Sequence, residues 1–96
     1  MSEHTVEPFT MRVEEIFYFS DASTVFVGIV TGGKNAITPC DVSVLLDEVV
    51  IAKIHLNGER MPGPKLSPEH RVVYTYDHFE IDKSIEKNRY TLICCG

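Results

Sequence analysis

Thr24-Val25-Phe26-Val27-Gly28-Ile29-Val30 is a near-continuous apolar run of β-branched and aromatic residues with one glycine inside it. A run this short, rich in Val and Ile, is a strand pattern. A glycine within a strand marks a bend or a close backbone approach, which suits a small curved sheet. Upstream, Phe9–Tyr18 alternates: Phe9, Met11, Val13 and Phe17 share one parity, and Thr10, Arg12 and Glu14 the other. Glu15, Ile16 and Tyr18 break the alternation, so a bulge is expected near Glu14–Ile16. Ser20-Asp21-Ala22-Ser23 between the two runs is a turn of residues that bond their own backbone.

Downstream, Gly32-Gly33-Lys34-Asn35 is the next breaker. It shares letters with a phosphate loop, but that motif needs G-x-x-x-x-G-K-[ST] before a helix. Here a strand comes next, and the segment is read as a hairpin turn. Strands are then expected over Asp41–Leu46, Val49–Leu56, Arg71–Tyr76 and Arg89–Cys94. Asp47-Glu48 makes a short turn. A single helical turn anchored by Ile85 is expected around Ser84–Lys87. Asn57–Pro68 is the longest loop; Pro62, Pro64 and Pro68 exclude helix and central strand there. The expected fold is therefore all-β: a small, six-stranded, mainly antiparallel, closed β-barrel. Residues 1–8 read as a flexible lead-in and residues 9–96 as a single domain.

The order of these elements resembles domain 2 of the translation GTPases, the barrel of elongation factor Tu and its relatives. The resemblance rests on the Pro8-Phe9 entry, Val13-Glu14-Glu15-Ile16-Phe17, and Thr24-Val25-Phe26-Val27-Gly28-Ile29-Val30-Thr31-Gly32. It continues through Ile37-Thr38-Pro39-Cys40-Asp41-Val42-Ser43-Val44 and the closing Ile85-Glu86-Lys87-Asn88-Arg89-Tyr90-Thr91-Leu92-Ile93. Two departures stand out: Cys40 where the family has Gly, and Pro68-Glu69-His70 where it has Ala-Gly and an acid. The resemblance implies a stand-alone barrel of that kind, with contacts to the translation apparatus as the family analogy. A fold alone does not assign a function.

Composition narrows the classes. The net charge is −5, and the nine Lys and Arg residues are scattered. Tracking a nucleic-acid backbone rests on clustered cations, so no DNA partner is expected. No stretch of about 18 apolar residues occurs, so no membrane partner is expected either. Three cysteines, Cys40, Cys94 and Cys95, make a poor disulfide framework and read as reduced thiols in a cytoplasm. One packed and one exposed thiol are expected at the end of the chain.

No motif carries catalysis. Cys40, His70 and Asp41 supply nucleophile, base and orienting types, but no local signature supports them. Cys and His stand at no zinc spacing; His70 and His78 flank a strand without a motif. No cofactor and no metal are expected, and the chain is read as non-enzymatic. Two surfaces are singled out. The proline-stiffened loop carries Arg60, Met61, Lys65 and Leu66, and is the expected protein-binding surface because long loops are often functional. Arg71, Tyr74, Tyr76, Arg89 and Tyr90 interleave aromatic and basic residues, the pattern of an RNA contact. A protein partner is the leading expectation. The alternatives are an RNA- or ribosome-contacting accessory factor, an acidic immunity- or antitoxin-like inhibitor, and, last, a small enzyme or metal protein. An exposed edge strand would also offer a route to pairing two copies.

Overall fold

A computed structural model describes residues 8–32, 37, 39–60, 70–79 and 84–94. Seven strands form one sheet: β1 (Phe9–Tyr18), β2 (Thr24–Thr31), β3 (Cys40–Leu46), β4 (Val49–Leu56), β5 (Gly58–Arg60), β6 (His70–Thr75) and β7 (Tyr90–Cys94). The order is β4-β3-β7-β1-β2-β6-β5, and every ladder is antiparallel. The sheet curls into a half-barrel around one core.

This corrects the expected six-stranded closed barrel. The seventh strand is Gly58–Arg60, read from sequence as loop because only four residues separate Asn57 from Pro62. The ladder does not close, since its two end strands, β4 and β5, are successive stretches of one chain divided at Asn57. The Asn57 amide bonds the Tyr74 carbonyl at 2.8 Å, and the Thr75 hydroxyl donates to the His55 carbonyl at 2.6 Å. Gly32 does not open a hairpin, as β2 and β3 are not neighbours. The helical turn falls at Lys87–Arg89, slightly later than expected.

The bulge lies in β1, between Val13 and Glu15. Its extra residue flips the parity of the rest of the strand. Phe9, Met11 and Val13 point inward, and after the bulge Ile16 takes the inner side. Phe17, assigned to the core by simple alternation, is turned out and is 45% exposed. At the bulge the β1 backbone comes down onto Gly28. A Cβ there would lie 2.9 Å from the Arg12 carbonyl carbon and 3.0 Å from the Val13 Cα. Only glycine leaves that room.

The core gathers inward residues of every long strand, including Met11, Val13, Phe26, Val44, Leu56, Val73, Tyr90 and Leu92, with Phe79 packed against Phe26 and Tyr90. Burial of side chains of this kind contributes about 1.5–3 kcal/mol each. A smaller apolar cluster lies on the opposite side of β2 and β6: Val25, Val27 and Val72, with Tyr74 against them. Arg71 and Glu59 form a double hydrogen bond of 2.6 and 2.7 Å, and Glu59 also accepts the Ile37 amide at 2.9 Å. This half-buried pair ties the short β5 to β6.

Candidate functional site

Thr75 decides the site. Its side chain is fully buried; its hydroxyl donates to His55 and accepts the Asp77 amide at 2.9 Å. Period-two alternation then turns Tyr74 and Tyr76 to the opposite face. Asn57 clamps the same stretch from the neighbouring chain segment: its amide binds the Tyr74 carbonyl, and its side-chain oxygen accepts the Tyr76 amide at 3.1 Å. The two rings stand edge to face, 5.7 Å apart.

Arg60, at the end of β5, lies between the Tyr74 and Phe19 rings. Its guanidinium carbon is 4.2 Å from the Tyr74 ring centre and 5.7 Å from that of Phe19. A cation over a ring face is held by the ring quadrupole, by about 0.5–2 kcal/mol. The same guanidinium reaches Asp21 at 3.5 Å and the Ser23 hydroxyl at 3.4 Å. Asp21 accepts the Ser23 amide at 3.0 Å and its hydroxyl at 2.5 Å. Those bonds, with the nearby Arg60 charge, hold the Asp21 carboxyl below the usual carboxylate value. The β1–β2 turn that carries Asp21 is closed by Phe19 and Ser23, whose backbones bond at 2.9 Å, with Ala22 in the left-handed region.

Around Arg60 the face is apolar. Phe17 stands in register with Val25, and Val25 with Tyr74, across three neighbouring strands. Phe17, Phe19 and Tyr76 are each close to half exposed. Tyr18, next to Phe17, points to the other side of the strand, where its hydroxyl donates to the Phe79 carbonyl at 3.0 Å. The result is a strip of exposed aromatic rings around one arginine that is paired with Asp21.

The structure thus brings together Arg60 from one expected surface with Tyr74 and Tyr76 from the other. The remaining residues of the second set lie elsewhere. Tyr90 is a core residue, 2% exposed, and is corrected from a surface contact to a packing role. Arg71 is committed to Glu59, whose bond raises its pKa and lowers that of Glu59. Arg89 is bidentate to Asp47 at the β3–β4 turn, and Asp47 donates its amide back to the Arg89 carbonyl at 3.2 Å. Met61, Lys65 and Leu66 lie outside the described residues. Phe17, Phe19 and Asn57 were missed: the bulge hid the first, and the turn and loop positions of the others carried no pattern.

Elsewhere the titratable groups are scattered or already paired. Cys40 is buried; burial, with the adjacent Cys94 thiol, pushes its pKa up to about 12. Asp41 bonds exposed His55 at 2.8 Å, and His70 bonds Glu14 at 2.6 Å, so Cys40, His70 and Asp41 do not converge. An open depression of about 650 Å³ is lined by Arg12, Glu14, Glu15 and Asn88, with Glu15 bound to Lys87. Among the described residues no group of three His, Cys, Asp or Glu side chains is placed to hold a metal ion. Nor is any helix among them long and apolar enough to cross a membrane. Compared with protein-family models, curated proteins and solved structures, the chain matches none.

Proposed function

We propose that this chain is a non-catalytic binding module that recognises a protein through the aromatic face built on Phe17, Phe19, Arg60, Tyr74 and Tyr76. The observation that carries the reading is the exposure of several large aromatic rings around one arginine on a rigid sheet. Aromatic residues and Arg are the types that dominate binding energy at protein interfaces. Here they are held in place before any partner arrives. The Thr75 and Asn57 bonds fix the tyrosine backbone, so less conformational freedom is lost on binding.

The charge pattern favours protein over RNA. Arg71, Arg89 and Arg60 each have an acidic neighbour within the chain. A phosphate backbone would meet few free cations. A partner with a basic, apolar-centred surface fits better. That is also the chemistry expected of an immunity- or antitoxin-like inhibitor of a basic protein. The resemblance to domain 2 of translation GTPases adds the translation apparatus as a place to look, and the thiol chemistry of Cys40 suits a cytoplasmic compartment.

The test is affinity capture of the tagged chain from its native lysate, with and without ribonuclease, beside Tyr76→Ala and Phe19→Ala. Protein capture that survives ribonuclease and is lost in both variants supports the reading. Recovery that vanishes with ribonuclease transfers the face to RNA. Capture untouched by either substitution shows that the partner sits elsewhere.

A further inference from the structure

A second exposed apolar surface lies away from the aromatic face, at the tip of the β3–β4 hairpin. Val49, Val50 and Ile51 are successive residues with 63%, 53% and 46% exposure, and Leu45 and Leu46 opposite them are half-buried. β4 is the outermost strand of its side of the sheet. From Val49 to Lys53 no described strand lies beyond it.

The turn chemistry says where the free backbone points. Asp47 and Glu48 form a two-residue loop with positive φ at both positions, +50° and +70°. That is a type I′ hairpin turn, in which Leu46 and Val49 exchange both backbone bonds. Pairing directions alternate along a strand. Val50 therefore directs its N–H and C=O away from β3, out of the edge. Further on, His55 also faces outward, donating its amide to Asp77 and accepting from Thr75. The odd spacing from Val50 to His55 needs one extra residue, and the register shift at Val44/Leu45 supplies it, at Ile51.

We infer that this edge pairs with the same edge of a second copy of the chain, antiparallel, about a two-fold axis at Val50. The pattern along the strand is self-complementary. In that register Val49 meets the partner's Ile51, and the partner's Lys53 falls opposite Asp47, within reach of the neighbouring Glu48, at both ends. Glu48 and Lys53 enter no ion pair with any described residue, so both are available. A partner with a different edge would have to match the acidic–apolar–basic order in reverse; a second copy does so by symmetry. An isologous contact of this kind uses each edge once and closes at two copies. The Ile51 bulge and Lys53 are features that ordinarily blunt edges. They confine the pairing to the tip, and the dimer is weak and reversible.

Sedimentation equilibrium of the full chain tests this. The weight-average mass is expected to rise from 10.8 kDa towards twice that value as concentration increases from about 10 µM to about 1 mM, a range suited to a small interface. Val50→Lys places two like charges at the axis and is expected to stay monomeric throughout, with unchanged circular dichroism because the site is exposed. Lys53→Glu is expected to weaken dimerisation by roughly tenfold at low salt, with a smaller loss at high salt. A wild-type chain that stays monomeric at 1 mM overturns the inference. So does a dimer that survives Val50→Lys, and a dimer lost on Tyr76→Ala but kept in Val50→Lys assigns association to the aromatic face instead.

Discussion

Replacing Gly28 by alanine adds one methyl group, and the structure says where it goes. It would sit 2.9 Å from the Arg12 carbonyl carbon, 3.0 Å from the Val13 Cα and against the Arg12 carbonyl oxygen. All three atoms are backbone, so no side chain can swing away. Relief needs β1 to retreat by about 1 Å at its bulge, at the ladder step where Val13 faces Gly28. That strains or breaks about two backbone bonds, each contributing about 1 kcal/mol, and loosens Val13 and Met11 in the core. The expected loss is about 3 kcal/mol or more, a large share of the roughly 5–14 kcal/mol typical of a domain this size. Urea unfolding followed by circular dichroism reads it as a fall in midpoint at unchanged slope. A loss below about 1 kcal/mol would refute the close approach, and with it the bulge that turns Phe17 outward.

Other substitutions probe the remaining parts. Glu59→Gln leaves the half-buried Arg71 without its counter-charge and is expected to cost about 2 kcal/mol in urea unfolding. Because Glu59 has a lowered folded-state pKa, its contribution is present above the ordinary carboxyl value of 4.5 and fades as pH falls through the lower folded value. The Gln variant should lose that part of the acid dependence. Ala22→Gly relieves a left-handed alanine at φ 71° and is expected to stabilise by about 1 kcal/mol in thermal melts. Cys40 has a raised folded-state pKa, so folding is favoured below the ordinary thiol value of 9.0 and that share is lost as pH rises towards about 12. At pH 8, in a Cys95→Ser background, a thiol reagent should modify Cys40 and Cys94 only at the rate of unfolding; fast labelling of either would contradict their burial.

Most of the secondary structure was legible because it rests on local chemistry. Phe9–Tyr18 and Val49–Leu56 are the strands that alternation and β-branching predict, residue for residue. The β1 bulge was also readable, because two acids in succession cannot both keep a core parity. Pairing was not readable. Nothing local in Gly32 or Cys40 says that the chain crosses over after β2 and that β3 joins β7. Closure failed for a related reason: whether one chain stretch serves both ends of a sheet depends on a single hinge, Asn57. The candidate face was half legible. Tyr74, Tyr76 and Arg60 were picked by residue type, but on different surfaces, since Gly58–Arg60 carries too few residues to show a strand period. Tyr90 looked equivalent to Tyr74 in sequence, and only the fold turns one inward and the other out.

A protein partner seated on the Phe17–Phe19–Arg60–Tyr74–Tyr76 face must shield the backbone beneath it. Amide hydrogen exchange on the chain, alone and saturated with the partner recovered by capture, reads that shielding. Added protection is expected across the β1–β2 turn, Asn57–Arg60 and Tyr74–Asp77, with the Asp47–Ile51 tip unchanged by that partner. Protection confined to the tip, or to the depression at Arg12 and Asn88, with the aromatic face still exchanging freely, would contradict the proposed binding face.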